Sequence, residues 1–141
     1  MQHAAAAPTM AETTGGGIVW TGRILSGLVV LFLVLDSAMK LVPLQVVVDT
    51  TKDLGWPTDP TTLRALGVVL IASALLYAYR PSSVLGAILI TAYLGGAVAT
   101  HVRIGSPLFS HVLFGVYVGI ATWAGLWLRE PRLRALLPLQ R

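Results

Sequence analysis

Four runs of nearly unbroken apolar residues dominate the chain: Ile18–Leu41, Thr62–Tyr79, Ser83–Val102 and Leu108–Leu128. Each is close to the ~20 residues with which an α-helix, rising 1.5 Å per residue, crosses about 30 Å of hydrocarbon. The joints between them carry helix punctuation. Asp59-Pro60 is a cap residue followed by proline at the first helical position. Ser82, after Pro81, is placed to cap the third helix; Gly105 can stop it, and Ser106-Pro107 can start the fourth. Such short joints make the third helix an antiparallel neighbour of both the second and the fourth. The link from Pro43 to Asp59 is longer. Its stretch QVVVDTTKDLGW reads either as a short helix on the bilayer surface, stopped by Gly55 with Trp56 at the interface, or as an ordered extended loop.

Composition turns these runs into a fold. Of 141 residues, 55% are hydrophobic and 11% charged, against roughly 25% charged in a soluble domain. A soluble body this small is mostly surface and has no room to hide so much apolar area. The expectation is an all-α, integral membrane four-helix bundle with short hairpin loops and an interfacial helix in the first loop. Residues 18–128 form the transmembrane domain. Residues 1–17 form an N-terminal segment expected to lack order, and 129–141 a basic cytoplasmic tail. The opening MQHAAAAPTMAETTGGG has neither the basic start nor the cleavage site of a secretory signal, and Met10 is an alternative starting residue.

The net charge of +4 does not point to nucleic acid, because the basic residues are scattered singly and no patch interleaves them with aromatics. Their one cluster is Arg129, Arg132, Arg134 and Arg141. Arg80 falls on the same side of the bundle, whereas the other side has Lys52 among Asp49, Asp53 and Asp59. The positive-inside rule then places both termini in the cytoplasm of a bacterial inner membrane, with Trp20, Trp123 and Trp127 as an inner aromatic belt and anionic lipid as a partner. The chain has no cysteine, which removes disulfides, thiolate metal sites and dithiol redox chemistry.

Small residues recur four apart: Gly22/Ser26, Ala92/Gly96, Gly95/Ala99 and Gly115/Gly119. This spacing allows backbones to approach in lipid. For Gly95-Gly96 two readings stand, close helix contact and the lining of a narrow cavity, and contact is the favoured one.

The ionisable groups gather toward the outer half. Asp36 and Lys40 are i,i+4 near the outer end of the first helix, Arg64 enters the second, His101 and Arg103 close the third, and His111 opens the fourth. Asp36, ~8–9 Å inside its helix end, is too short to snorkel and must meet a cation: Lys40, or Arg103 or Arg64 across the bundle. Either Asp36 and Lys40 form a structural pair, or Asp36, Lys40, His101 and Arg103 frame a polar pocket, with Tyr93 and His111 as further lining candidates. Arg23, inside the inner end, and Arg64 read as structural polar residues, and Tyr117 is a weaker candidate donor. The His/Asp spacing matches no metal motif, so no metal site is assigned.

In GRILSGLVVLFLVLDSAMKL, the loop LGW, LRALGVV and the run SSVLGAILITAYLGGAVATHVRIGSPLFSHVLFGVYVGIATWAGLWLR, the sequence resembles the DoxX-like family of small four-helix membrane proteins, over roughly Trp20–Pro138. The family's arginine early in the first helix and lysine at its end match Arg23 and Lys40, and its Gly…Gly-Gly…His run matches Gly86, Gly95, Gly96 and His101. Many relatives carry a glutamate soon after the glycine matched by Gly67, where Leu70 stands here. The family takes its name from a membrane component of a thiosulfate:quinone oxidoreductase. The resemblance therefore implies a membrane component of a quinone-linked redox assembly, with a redox partner protein and a bound quinone or lipid but no cofactor held by the chain itself. A non-enzymatic scaffold or assembly factor and a small-solute or lipid carrier are the alternatives, and a homo-oligomer is compatible with each.

Overall fold

The computed structural model describes residues 10–136. They form α1 (Met10–Leu41), α2 (Gln45–Asp53), α3 (Pro60–Ala78), a 3₁₀ turn (Arg80–Ser82), α4 (Ser83–Arg103), a π turn (Leu108–Val112), α5 (Leu113–Arg129) and α6 (Pro131–Leu136). Among the described residues there is no strand. Four stretches span the membrane: Gly16–Leu41, Pro60–Ala78, Arg80–Arg103 and Leu108–Arg129. α1 packs against α3 and α5, and α4 against the same two, so the spans close a ring in chain order.

The outward surface explains why the solvent is lipid. Leu28, Leu75, Ile120 and Phe109 are more than half exposed, and burying them would require partners the ring does not supply. The interior is narrow: Leu33, Leu63, Leu70, Ala74, Tyr77, Ala87, Ile90 and Leu126 are each at most 1% exposed. Ser26, Ser37, Ser73 and Thr122 are buried beside them. The hydroxyls of Ser37, Ser73 and Thr122 donate to the carbonyls of Leu33, Val69 and Val118, four residues back, which satisfies them where no water reaches. Leu70 is a fully buried packing residue.

The helix ends follow the punctuation in part. Asp59 caps α3 as expected: its carboxylate accepts from the Thr62 amide at 2.9 Å and the Thr62 hydroxyl at 2.6 Å, with Pro60 opening the helix. Gly55 and Gly105 stop α2 and α4 at φ +72° and +68°, where a Cβ would be strained. α2 is a helix, so the extended-loop alternative is set aside. Ser82 does not cap α4. The 3₁₀ turn after Tyr79 carries its hydroxyl back to the Leu76 and Tyr79 carbonyls instead.

Two segment boundaries differ from expectation. α1 begins at Met10, so Met10–Gly17 is helical rather than without order. Extending an established helix adds one hydrogen bond per residue without a new nucleus, and this outweighs the three glycines. Residues 1–9 lie outside the described residues. At the other terminus Arg129 belongs to the last turn of α5 and α6 folds back on the bundle, with Leu133 only 7% exposed. The tail thus begins as part of the packed body, while Arg141 lies outside the described residues.

Candidate functional site

At one end of the bundle most of the predicted polar residues meet partners close to themselves in the chain. The Lys40 ammonium donates to Asp36 at 2.6 Å, across one turn of α1. The two side chains are 16% and 28% exposed respectively, so Asp36 is half-buried rather than buried. Its cation is Lys40 and not an arginine: Arg103 donates to the Leu54 carbonyl at 2.6 Å, which ties α4 to the loop before Gly55, and Arg64 is exposed. Tyr93 packs half-buried against the core, whereas Tyr117 is 48% exposed.

The two histidines do come together. The rings of His101 and His111 meet edge to face with centroids 5.6 Å apart. Each Nδ1 is engaged by a nearby hydroxyl, Ser106 at 3.0 Å for His101 and Ser110 at 2.7 Å for His111. The π turn makes the meeting possible. Its amides at His111 and Val112 both donate to the Pro107 carbonyl, and the wider turn presents His111 toward α4. Among the described residues no three His, Asp or Glu gather in a metal-binding group.

The opposite end holds an interlock that hydropathy did not reveal. The carbonyl of Tyr77 would ordinarily accept from the amide four residues on, but that residue is Pro81, which has none. Arg129 supplies the missing donor: its Nη2 lies 2.6 Å from the Tyr77 carbonyl, and its guanidinium sits 4.6 Å over the Tyr77 ring. The Tyr77 hydroxyl donates to the Thr122 carbonyl at 2.8 Å, so the Ser26 hydroxyl at 2.9 Å donates to it. Glycines admit these groups. A Cβ at Gly86 would stand 2.2 Å from the Tyr77 amide nitrogen, one at Gly125 2.7 Å from the Ser26 hydroxyl, and one at Gly22 2.6 Å from the Arg129 nitrogen. All four spans therefore meet around one tyrosine. The legible clues were Pro81 four residues after Tyr77 and the Gly22/Ser26 spacing. Arg23, by contrast, is exposed and lies 5.7 Å from the Trp20 ring.

Between the two ends runs a groove of about 710 Å³ along the lipid-facing seam of α4 and α5. Its lining is almost wholly apolar and includes Leu94, Gly95, Val98, Gly115, Gly119 and Ile120, with Trp123, Trp127 and Leu133 toward the Tyr77 end. A Cβ at Gly95 or Gly96 would touch nothing within 4 Å. The favoured reading of close helix contact at this pair is thus corrected: Gly95 opens the groove, and the tight contacts belong to Gly22, Gly86, Gly115 and Gly125. The indole N–H of Trp123 donates to the Thr91 hydroxyl at 2.9 Å across the groove.

These features define a class: a small four-span helical membrane bundle, glycine-locked at one end and grooved along one seam. The chain belongs to the DoxX-like family, whose sequence profile matches residues 24–125. That stretch takes in Asp36, Lys40, the histidine pair, Tyr77 and the whole α4–α5 hairpin except the last turn. Comparison with curated proteins and with solved structures gives no match.

Proposed function

We propose that this protein is the membrane component of a quinone-linked redox assembly and holds a prenylated quinone-like ligand along the α4–α5 groove. The observation that carries this reading is the groove itself, apolar, lipid-facing and ending beside the histidine pair. His101 lies three residues beyond Val98 on α4, and His111 four residues before Gly115. One helical turn, ~5 Å, therefore separates the last lining residues from the imidazoles. An isoprenoid tail suits walls of leucine, valine and glycine. A ring carbonyl at the groove mouth needs a hydrogen-bond donor; in the tautomer whose Nδ1 accepts from the serine hydroxyl, Nε2 of His101 or His111 carries the proton and supplies one. Lys40, the other donor first considered, is held by Asp36. The bound quinone would supply the electron-carrying chemistry, and a partner protein with its own cofactor would deliver the electrons.

The test is quinone titration of the purified protein in matched detergent. Gly95→Phe fills the groove from a position whose Cβ meets nothing, and should weaken binding at least tenfold, ~1.4 kcal/mol. Gly96→Phe has equal space but no place in the groove lining and should bind as wild type. His101→Ala should weaken binding similarly to Gly95→Phe. Absence of saturable binding by the wild type would discard this reading and leave the scaffold ahead.

A further inference from the structure

The arginines at the Tyr77 end divide into two kinds. Arg129 donates to the Tyr77 carbonyl, and Arg134 to the carbonyls of Trp127 and Leu128, so both hold helix ends together. Arg80 and Arg132 do neither. Arg80, in the 3₁₀ turn, is 72% exposed and reaches only a loose ion pair with Glu130 at 3.6 Å. Arg132, on α6, is exposed and makes no ion pair among the described residues. Some fifty residues apart in sequence, the two line one pocket of about 470 Å³ with Ser83, Val84, Glu130 and Leu133.

We propose that this pocket binds the phosphodiester of an anionic, glycerol-headed phospholipid. Four observations converge on that chemistry. The pocket sits at the ends of membrane spans, at the depth where a bilayer keeps its phosphates. Its two guanidinium groups offer planar, paired donors that match phosphate oxygens. Two arginines and one glutamate leave a single net positive charge, equal and opposite to a phosphodiester and unlike a zwitterionic headgroup. Val84 and Leu133 provide an apolar step from the charged floor to the leaflet, where the acyl chains continue. The pocket shares only Leu133 with the lining of the α4–α5 groove, so the lipid site is argued from its own residues and stands whatever the groove binds.

The experiment is native mass spectrometry of the protein released from bilayers of equal phosphatidylglycerol and phosphatidylcholine with the same acyl chains. The wild type should retain phosphatidylglycerol preferentially. The double variant Arg80→Gln/Arg132→Gln should lose that preference by about thirtyfold, the scale of two surface arginines acting on anionic lipid. Both positions are exposed, so the variant should melt as the wild type does. Arg23→Gln removes an exposed charge from the same end but not from the pocket, and should keep the preference. No enrichment in the wild type, or an equal loss in Arg23→Gln, overturns the proposal. Displacement of the lipid by millimolar glycerol phosphate overturns it too, in favour of a site for soluble anions.

Discussion

The two ends of this bundle solve the problem of polar groups in lipid in opposite ways. At the His101 end the pairings are mostly local, Lys40 on Asp36 within one helix and His101 on Ser106 and His111 on Ser110 within one hairpin, with Arg103 on the Leu54 carbonyl as the long-range exception. At the Tyr77 end the partners are more than forty residues apart, as in Ser26–Tyr77, Tyr77–Thr122 and Arg129–Tyr77. Local pairing leaves helices free to shift with their partners attached. Non-local pairing welds them. A bundle welded at one end and mostly locally satisfied at the other leaves the α4–α5 groove bridged by an exposed hydrogen bond, Trp123 to Thr91, and away from the buried weld, which suits a lipid-facing ligand groove.

The sharpest way to break this comparison is to separate the helices at the weld. Gly86→Ala places a Cβ 2.2 Å from backbone of α3, and backbone cannot rotate away as a side chain can. The expected loss is about 3 kcal/mol or more, read as unfolding in mild detergent by circular dichroism. Gly96→Ala meets nothing within 4 Å and should be neutral. Equal melting of the two variants would dissolve the distinction between the ends. Next in size is Arg129→Gln, which orphans the carbonyl that Pro81 leaves without a donor. A lost hydrogen bond from a charged donor to a buried acceptor is worth about 2 kcal/mol. Arg129→Lys should recover part of it, having the charge without the planar stack on Tyr77.

The far end should respond more mildly. Asp36→Ala leaves Lys40 without its carboxylate, but a half-buried ammonium on a long stem can reach the interface. The pair lies between the exposed and the buried regimes, so the expected loss is about 1–2 kcal/mol. Asp36→Ala/Lys40→Ala should regain most of it, because the uncompensated charge goes with its partner. Strict additivity in that double-mutant cycle would show that the two residues act independently.

Hydropathy made the spans, the hairpins and their order legible, because span length is set by bilayer thickness and short joints permit one topology. The stops at Gly55 and Gly105 and the cap at Asp59 were legible because each depends on local backbone geometry alone. The weld was not, since Tyr77 at a helix end reads as an interfacial tyrosine until Arg129 is seen above it. Glycine spacing shows that a backbone can approach but not which face it presents, and so it points to contact at Gly95-Gly96 and gives no sign of the close approach at Gly86 and Gly125. The meeting of His101 and His111 depends on the π turn, whose extra residue leaves no trace in the apolar pattern.

The smallest effect, and the one that isolates local from non-local stabilisation, is at Asp59. The Thr62 hydroxyl, followed by the Thr62 amide, holds this carboxyl below its ordinary value of 3.8. A lowered folded pKa means that the unfolded chain takes up the proton first as pH falls. The cap's contribution is therefore fully present above pH 3.8 and is lost as pH drops through the lower, folded-state value. Asp59 is fully exposed, so the change should fray only the first turn of α3 and leave the Tyr77 weld intact. Amide hydrogen exchange at Thr61–Leu63, compared with exchange near Thr122 across an acid titration, reads the two separately. Asp59→Asn keeps an acceptor for the Thr62 amide without a titrating proton, and should show protection at α3 that no longer varies with pH. If protection near Thr122 falls in step with that at Thr62, the weld is coupled to the cap and the two ends are not energetically separate.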